Sequence, residues 1–207
     1  MILAGRYRSP FVRRVAATMK HYGMPYERRV LSTITDGDAI RAVNPLGRVP
    51  SLILDSGETL IDSGAILDYL DECAGPERAL VPARGAERRE VLKLVALAIG
   101  AAEKGVALAY EIQRRPKNLI YPEWAEKLRG QARAGLAELE KILGSDKRWL
   151  AFGKLTQADV SAVATWDFFG NMLAGTFAPA EFPRIAALSE RANLLPAFAE
   201  THPDLDT

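Results

Sequence analysis

Two hydroxyls stand close together near the start of the chain, Tyr7 and Ser9, in the run GRYRSPFVRRV. Ser9-Pro10 has the order of a helix N-cap followed by proline at the first helical position, where a missing N–H costs nothing. A hydroxyl so placed can donate to an anion, and the free N–H groups and dipole of the helix add positive potential. Asp62-Ser63 repeats the arrangement ahead of a second apolar run, with N–H groups suited to a carboxylate and a serine hydroxyl to supplement them. Both pairs also suit plain helix capping, which needs no ligand. Val49-Pro50 follows the loop signal Asn44-Pro45-Leu46-Gly47, and its proline can simply open a strand. Cys73 is the only cysteine, which excludes an intrachain disulfide and a multi-cysteine metal site; it is expected to be a buried structural thiol. His21 and His202, the only histidines, do not furnish a histidine-built metal centre, so no metal is expected.

The elements that must position these groups follow from periodicity. MILAG predicts a first strand, too short for a signal-peptide core or a membrane span. After Ser9-Pro10, Val12, Val15, Ala16 and Met19 form one buried stripe of a helix, with Arg13, Arg14 and Lys20 on other faces and Gly23 as the stop. Tyr26 to Leu31 predicts a second strand, and Asp36 to Val43 a weak helical turn. Val49 to Leu54 and Thr59 to Ile61, separated by Asp55-Ser56-Gly57, predict a hairpin. Asp62-Ser63 then caps a helix with Ile66, Leu67 and Leu70 on one side, giving the order β-α-β-α-β-β-α over residues 1–74.

Residues 75–84, with Pro76 and Pro82, are expected to be a linker, and 85–207 an all-helical domain. Helices are predicted from Glu87 to Tyr110, Pro122 to Leu143, from Thr156 through Phe169, and more briefly over Phe182 to Arg191 and Pro196 to Thr201. Thr156-Gln157-Ala158-Asp159 is a capping box with aspartate at the third helical position. The Glu87 to Ala109 stretch is too apolar for a surface helix, which predicts that part of it lies in a two-fold homodimer interface.

Composition narrows the partners. The 27 Lys and Arg nearly balance the 26 Asp and Glu, so nothing favours a nucleic-acid backbone or an acidic membrane surface, and 48% hydrophobic residues suffice for a real core. No segment is apolar for eighteen residues, and a cytoplasmic protein is expected.

GRYRSPFVRRV, NPLGRVPSL and IDSGAILDYLDE, in this order within the first 72 residues, resemble the N-terminal domain of soluble glutathione S-transferases, and the helical remainder has a fitting length. The resemblance covers the whole chain and lies nearest the serine-type classes and small bacterial members. It implies a thioredoxin-like glutathione-binding domain followed by a helical bundle domain, and a cis bond at Val49-Pro50 that exposes the Val49 backbone to the cysteinyl part of glutathione as a short added strand. It further implies that Asp62 and Ser63 hold the γ-glutamyl end, with Asp62 facing its amino group, and that Arg48 meets the glycine carboxylate. Ser9 would activate the glutathione thiol: a thiol of pKa near 8.5 is only about 3% ionised at pH 7, and a donor to the sulfur lowers that pKa.

Other classes of the family use a tyrosine just after the first strand, which makes Tyr7 the rival; the serine-proline-aromatic order favours Ser9. The implied reaction is attack of glutathione thiolate on an electrophilic small molecule, by substitution, addition or peroxide reduction, as in detoxification. Alternatives are a glutathione-dependent isomerase or dehalogenase, and a non-catalytic glutathione-binding module. Tyr110, Arg114, Trp166 and Phe169 are the candidates for contact with the second substrate.

Overall fold

The computed structural model describes residues 1–145 and 147–206. They form two compact units, the first comprising Met1–Ala83 with Ala192–Thr207, the second Arg84–Arg191.

In the first unit, β1 (Ile2–Ala4), α1 (Pro10–Tyr22), β2 (Glu27–Arg29), α2 (Gly37–Arg41), β3 (Ser51–Ile53), β4 (Thr59–Leu60) and α3 (Ser63–Ala74) follow in the expected order. The sheet runs β2-β1-β3-β4. β1 pairs in parallel with β2, Leu3 opposite Arg28, and α1 is the crossover such a pair requires. β1 and β3 are antiparallel, Ala4 opposite Ser51, and β3 turns back into β4 with Leu52 opposite Leu60. This is a thioredoxin-like arrangement, with α1 and α3 packed against each other and against the sheet.

Val12, Val15, Ala16 and Met19 are wholly buried, as their spacing requires. Arg13 and Arg14 are buried too, at 1% and 4% exposure, because the faces they occupy are also covered. Arg13 donates from Nε to the Thr201 carbonyl at 3.0 Å and from Nη2 to Asn193 Oδ1 at 2.8 Å. Its partners lie in the C-terminal segment, whose helix α8 (Pro196–Ala199) packs on α1. An ion pair of 2.6 Å joins Lys20 on α1 to Glu200, the residue that ends α8, at the surface. The first unit therefore takes in the last stretch of the chain, which the sequence alone assigned to the helical domain of 85–207.

Cys73 is exposed, contrary to the expectation of a buried thiol. Ile66, Leu67 and Leu70 carry the buried face of α3, whereas Cys73 stands one turn beyond the partly exposed Tyr69, whose phenol it perturbs upward by hydrogen bonding.

The second unit is helical: α4 (Gly85–Gln113), α5 (Pro122–Leu143), α6 (Gln157–Met172) and α7 (Pro183–Asn193), the last reaching into the residues of the first unit. α4 packs against both α5 and α6, so Leu94, Ala98, Ala101, Ala102 and Leu108 are used within the chain. Gly105 permits the closest approach: a Cβ there would lie 2.0 Å from Cε1 of Phe169, so no larger residue fits beneath that ring. Asp159 completes the capping box of α6, accepting from Thr156 N–H at 2.8 Å and from Leu150 N–H at 2.7 Å. Burial pushes its carboxyl up to about 6, against the opposing pull of these hydrogen bonds.

Candidate functional site

The loop from β1 into α1 carries the first pair of candidate residues. Gly5 has φ 130°, and a side chain there would place Cβ 2.5 Å from Val12 Cγ2 and 3.1 Å from Val49 Cβ. Glycine thus lets the first turn of α1 and Val49 close on the end of β1. Ser9 is the N-cap of α1, its Oγ accepting from the Val12 N–H at 3.4 Å, the long limit for such a bond. That bond uses a lone pair of the half-buried hydroxyl and leaves its proton for another acceptor. Tyr7 is buried, with its hydroxyl 2.7 Å from the Tyr26 hydroxyl and the Arg28 guanidinium 3.6 Å from its ring centroid. Burial, then this bond, push the Tyr26 phenol well above its ordinary value.

The loop before β3 is built by Asn44, which is buried. Its Oδ1 accepts from Leu46 N–H at 3.0 Å, its Nδ2 donates to the Arg48 carbonyl at 2.9 Å, and its own carbonyl accepts from Gly47 N–H at 2.9 Å. The asparagine side chain thereby replaces the backbone partners the loop lacks, and this is what the Asn-Pro-Leu-Gly signal encodes. The Val49-Pro50 bond is cis, as the resemblance implied. Val49 precedes the paired register of β3, which begins with Ser51 opposite Ala4, and Arg48 is exposed beside it.

At the N-terminus of α3, the cap is Asp62, whose Oδ1 accepts from Gly64 N–H and from the Ser63 hydroxyl, each at 3.1 Å. Beneath it, Arg14 donates to Ser63 Oγ from Nη2 at 2.7 Å and from Nε at 3.2 Å. A chain of donors therefore runs from Arg14 through Ser63 to Asp62, and it ties α1 to the start of α3. Arg14 is the residue that sequence reasoning missed. The available signal was two consecutive arginines held between the apolar positions Val12 and Val15, where little of the helix circumference remains for solvent. Three separate motifs are thus gathered on the first two turns of α1: Ser9 caps it, Val49 meets it across Gly5, and Ser63 is bound by Arg14.

Residues 3–78 match the glutathione S-transferase N-terminal domain and residues 122–191 the glutathione S-transferase C-terminal domain. A maleylacetoacetate isomerase of Pseudomonas aeruginosa is 33% identical over 95% of this chain and 93% of its own length. The chain belongs to the glutathione S-transferase family. Among solved structures, a glutathione S-transferase of Methylobacterium radiotolerans in complex with glutathione sulfonate superposes with TM-score 0.91 at 25% identity, covering 98% of this chain and 94% of that one. A glutathione S-transferase of Methylobacillus flagellatus with glutathione bound gives TM-score 0.90 at 25% identity, covering 98% of each chain.

The four second-substrate candidates of this family member differ in exposure. Tyr110 and Arg114 lie one turn apart at the end of α4 and are exposed, with Arg114 N–H donating to the Tyr110 carbonyl at 3.0 Å. Trp166 is half-buried, edge-on to Phe182 with centroids 6.0 Å apart. Phe169 is a core residue at 1% exposure, stacked on Phe177 at 4.5 Å and seated on Gly105, so as placed it offers no face to a ligand. Among the described residues no group of three or more His, Cys, Asp or Glu could hold a metal ion, and no helix is long and apolar enough to cross a membrane.

Proposed function

We propose that this glutathione S-transferase family protein binds glutathione on its first unit and activates the thiol through the Ser9 hydroxyl for attack on an electrophilic carbon. The gathering of Ser9, Val49 and Ser63 on the first two turns of α1 carries this reading. The Ser9 hydroxyl retains a proton to donate to sulfur, and it does so beside the N–H groups of α1, which favour the thiolate. Tyr7, by contrast, is buried, with its hydroxyl 2.7 Å from that of Tyr26 and the Arg28 guanidinium over its ring, whereas Ser9 is partly exposed, which supports Ser9 as the donor. The Val49 backbone takes the cysteinyl part of the tripeptide, the Asp62-Ser63 turn its γ-glutamyl end, and Arg48 its glycine carboxylate.

The similarity to a maleylacetoacetate isomerase favours one second reading, a glutathione-dependent isomerase of an unsaturated acid. Both readings begin alike. The thiolate adds to an activated double bond and the electron pair moves onto the conjugated carbonyl. In conjugation the carbon is then protonated and the adduct leaves; in isomerisation the new single bond rotates, the C–S bond breaks and glutathione is released unchanged. Counting glutathione against product separates them: conjugation consumes one thiol per turnover, isomerisation none. If no electrophile reacts faster with glutathione in the presence of the protein than in its absence, the catalytic reading fails.

The protein is proposed to act in the cytoplasm, where the lone exposed Cys73 stays reduced. It is also proposed to act as a homodimer, since Leu92 on α4 remains exposed after the packing within the chain. Sedimentation at tens of micromolar, an order-of-magnitude choice for a standard interface, should give the dimer mass; a persistent monomer refutes it.

A further inference from the structure

The last turn of the chain reaches the loop that carries Ser9. Asp206 ends a 3₁₀ turn, Pro203–Asp206, in the segment that belongs to the first unit. Its side chain is fully buried, at 0% exposure. One carboxylate oxygen, Oδ2, accepts the backbone N–H of Arg8 at 2.7 Å, across 198 residues of sequence. The other, Oδ1, is ion-paired with the guanidinium of Arg28 on β2. Arg28 in turn lies over the Tyr7 ring. Arg8 is the residue before Ser9, and the turn is closed by Ser9 N–H donating to the Arg6 carbonyl at 3.0 Å. A single buried carboxylate therefore grips the peptide between Tyr7 and Arg8 and anchors it to β2, one residue from the proposed thiol donor.

We propose that Asp206 is a positioning residue for Ser9: its carboxylate fixes the loop of residues 6–9 so that the Ser9 hydroxyl is held in place for the glutathione sulfur. The inference rests on the reading of Ser9 given above. A short charge-assisted bond from a backbone N–H to a buried carboxylate is strong, and the ion pair with Arg28 on the other oxygen holds that carboxylate to β2. Loss of the grip leaves Ser9 present but loosely aimed, and misplacement of a catalytic group by about 1 Å can cost up to about 100-fold in rate.

The test compares Asp206→Ala and Asp206→Asn with the wild-type chain in two measurements. Amide hydrogen exchange at Arg8, in the protein without ligand, should accelerate in Asp206→Ala and stay closer to wild type in Asp206→Asn, which keeps an oxygen for the N–H. With glutathione bound, Asp206→Ala should raise the pH at which the thiol ionises and lower kcat about 10-fold, while the KM for glutathione stays within about 2-fold. Asp206→Asn should recover most of both losses. Unchanged exchange at Arg8 in Asp206→Ala overturns the proposal, as does accelerated exchange with unaltered thiol ionisation. Equal impairment in the two variants also overturns it, since the pair with Arg28 rather than the grip on Arg8 would then matter. A wild-type chain that binds no glutathione refutes the underlying functional reading, and the role assigned to Asp206 falls with it; that outcome is recognised in the wild type before any variant is compared.

Discussion

Replacing Ser9 by alanine removes one oxygen that has two separable duties. As a helix cap it accepts the Val12 N–H at 3.4 Å, a bond so long that its loss should cost about 0.5 to 1 kcal/mol, the low end for N-cap substitutions. As a donor to a thiolate it is worth ~1.4 to 4 kcal/mol, the range for one preorganised hydrogen bond to an anion, so turnover should fall about 10- to 1,000-fold. The two ranges do not overlap, and unfolding in denaturant measured beside steady-state kinetics separates them. The ionisation of bound glutathione, followed by thiolate absorbance against pH, should move up by at least about one pH unit, since 1.36 kcal/mol corresponds to one unit. Tyr7→Phe is the comparison. It deletes the 2.7 Å bond to Tyr26 and should lose about 1 kcal/mol of stability with little change in thiol ionisation. The reasoning is refuted if Tyr7→Phe raises the ionisation pH and Ser9→Ala leaves it in place.

Ser63→Ala should weaken glutathione binding by calorimetry, and Arg14→Met should weaken it through the same hydroxyl, so a double-mutant cycle should show the two effects to be coupled; strict additivity would separate Arg14 from the site. Gly105→Ala should destabilise the second unit by about 1 to 3 kcal/mol in denaturant unfolding, because its Cβ meets the Phe169 ring at 2.0 Å; an unchanged midpoint would show that the ring moves aside freely. Asp159, raised from 3.8 to about 6, binds more protons folded than unfolded between those values. Its contribution is therefore full below about pH 4 and is lost as pH rises through 6, a change of about 3 kcal/mol relative to Asp159→Asn; a flat difference between the two proteins from pH 4 to 7 would contradict it.

The order β-α-β-α-β-β-α was legible because each element carried its own local signal, from Ser9-Pro10 at the start of α1 to the Asp55-Ser56-Gly57 turn between β3 and β4. The strands came out shorter than the spans predicted for them: Tyr26 to Leu31 supplies only Glu27–Arg29, because pairing ends where β1 does. Loop chemistry was legible as well, since Asn44 does in the structure what its place before Pro45 suggested. Long-range partners were not. Nothing local to Arg13 announces Thr201, nothing local to Arg14 announces Ser63, and nothing at Arg8 announces Asp206. Periodicity assigns a charged residue off the apolar stripe to another face, but only the packed chain shows whether that face is covered. The same limit explains Cys73: the buried face of α3 ends at Leu70 and leaves Cys73 exposed, and helical spacing does not report where that cover stops.

The central claim, that the first unit binds glutathione and lowers the pKa of its thiol, is tested most directly by titrating the thiol of glutathione bound to the wild-type protein, read as thiolate absorbance between pH 5 and 9. The account predicts ionisation ~2 units below the ordinary thiol value of about 8.5, with most of the bound glutathione as thiolate at pH 7. Ionisation at the value of the free thiol, at ligand concentrations where calorimetry shows the site filled, would contradict it.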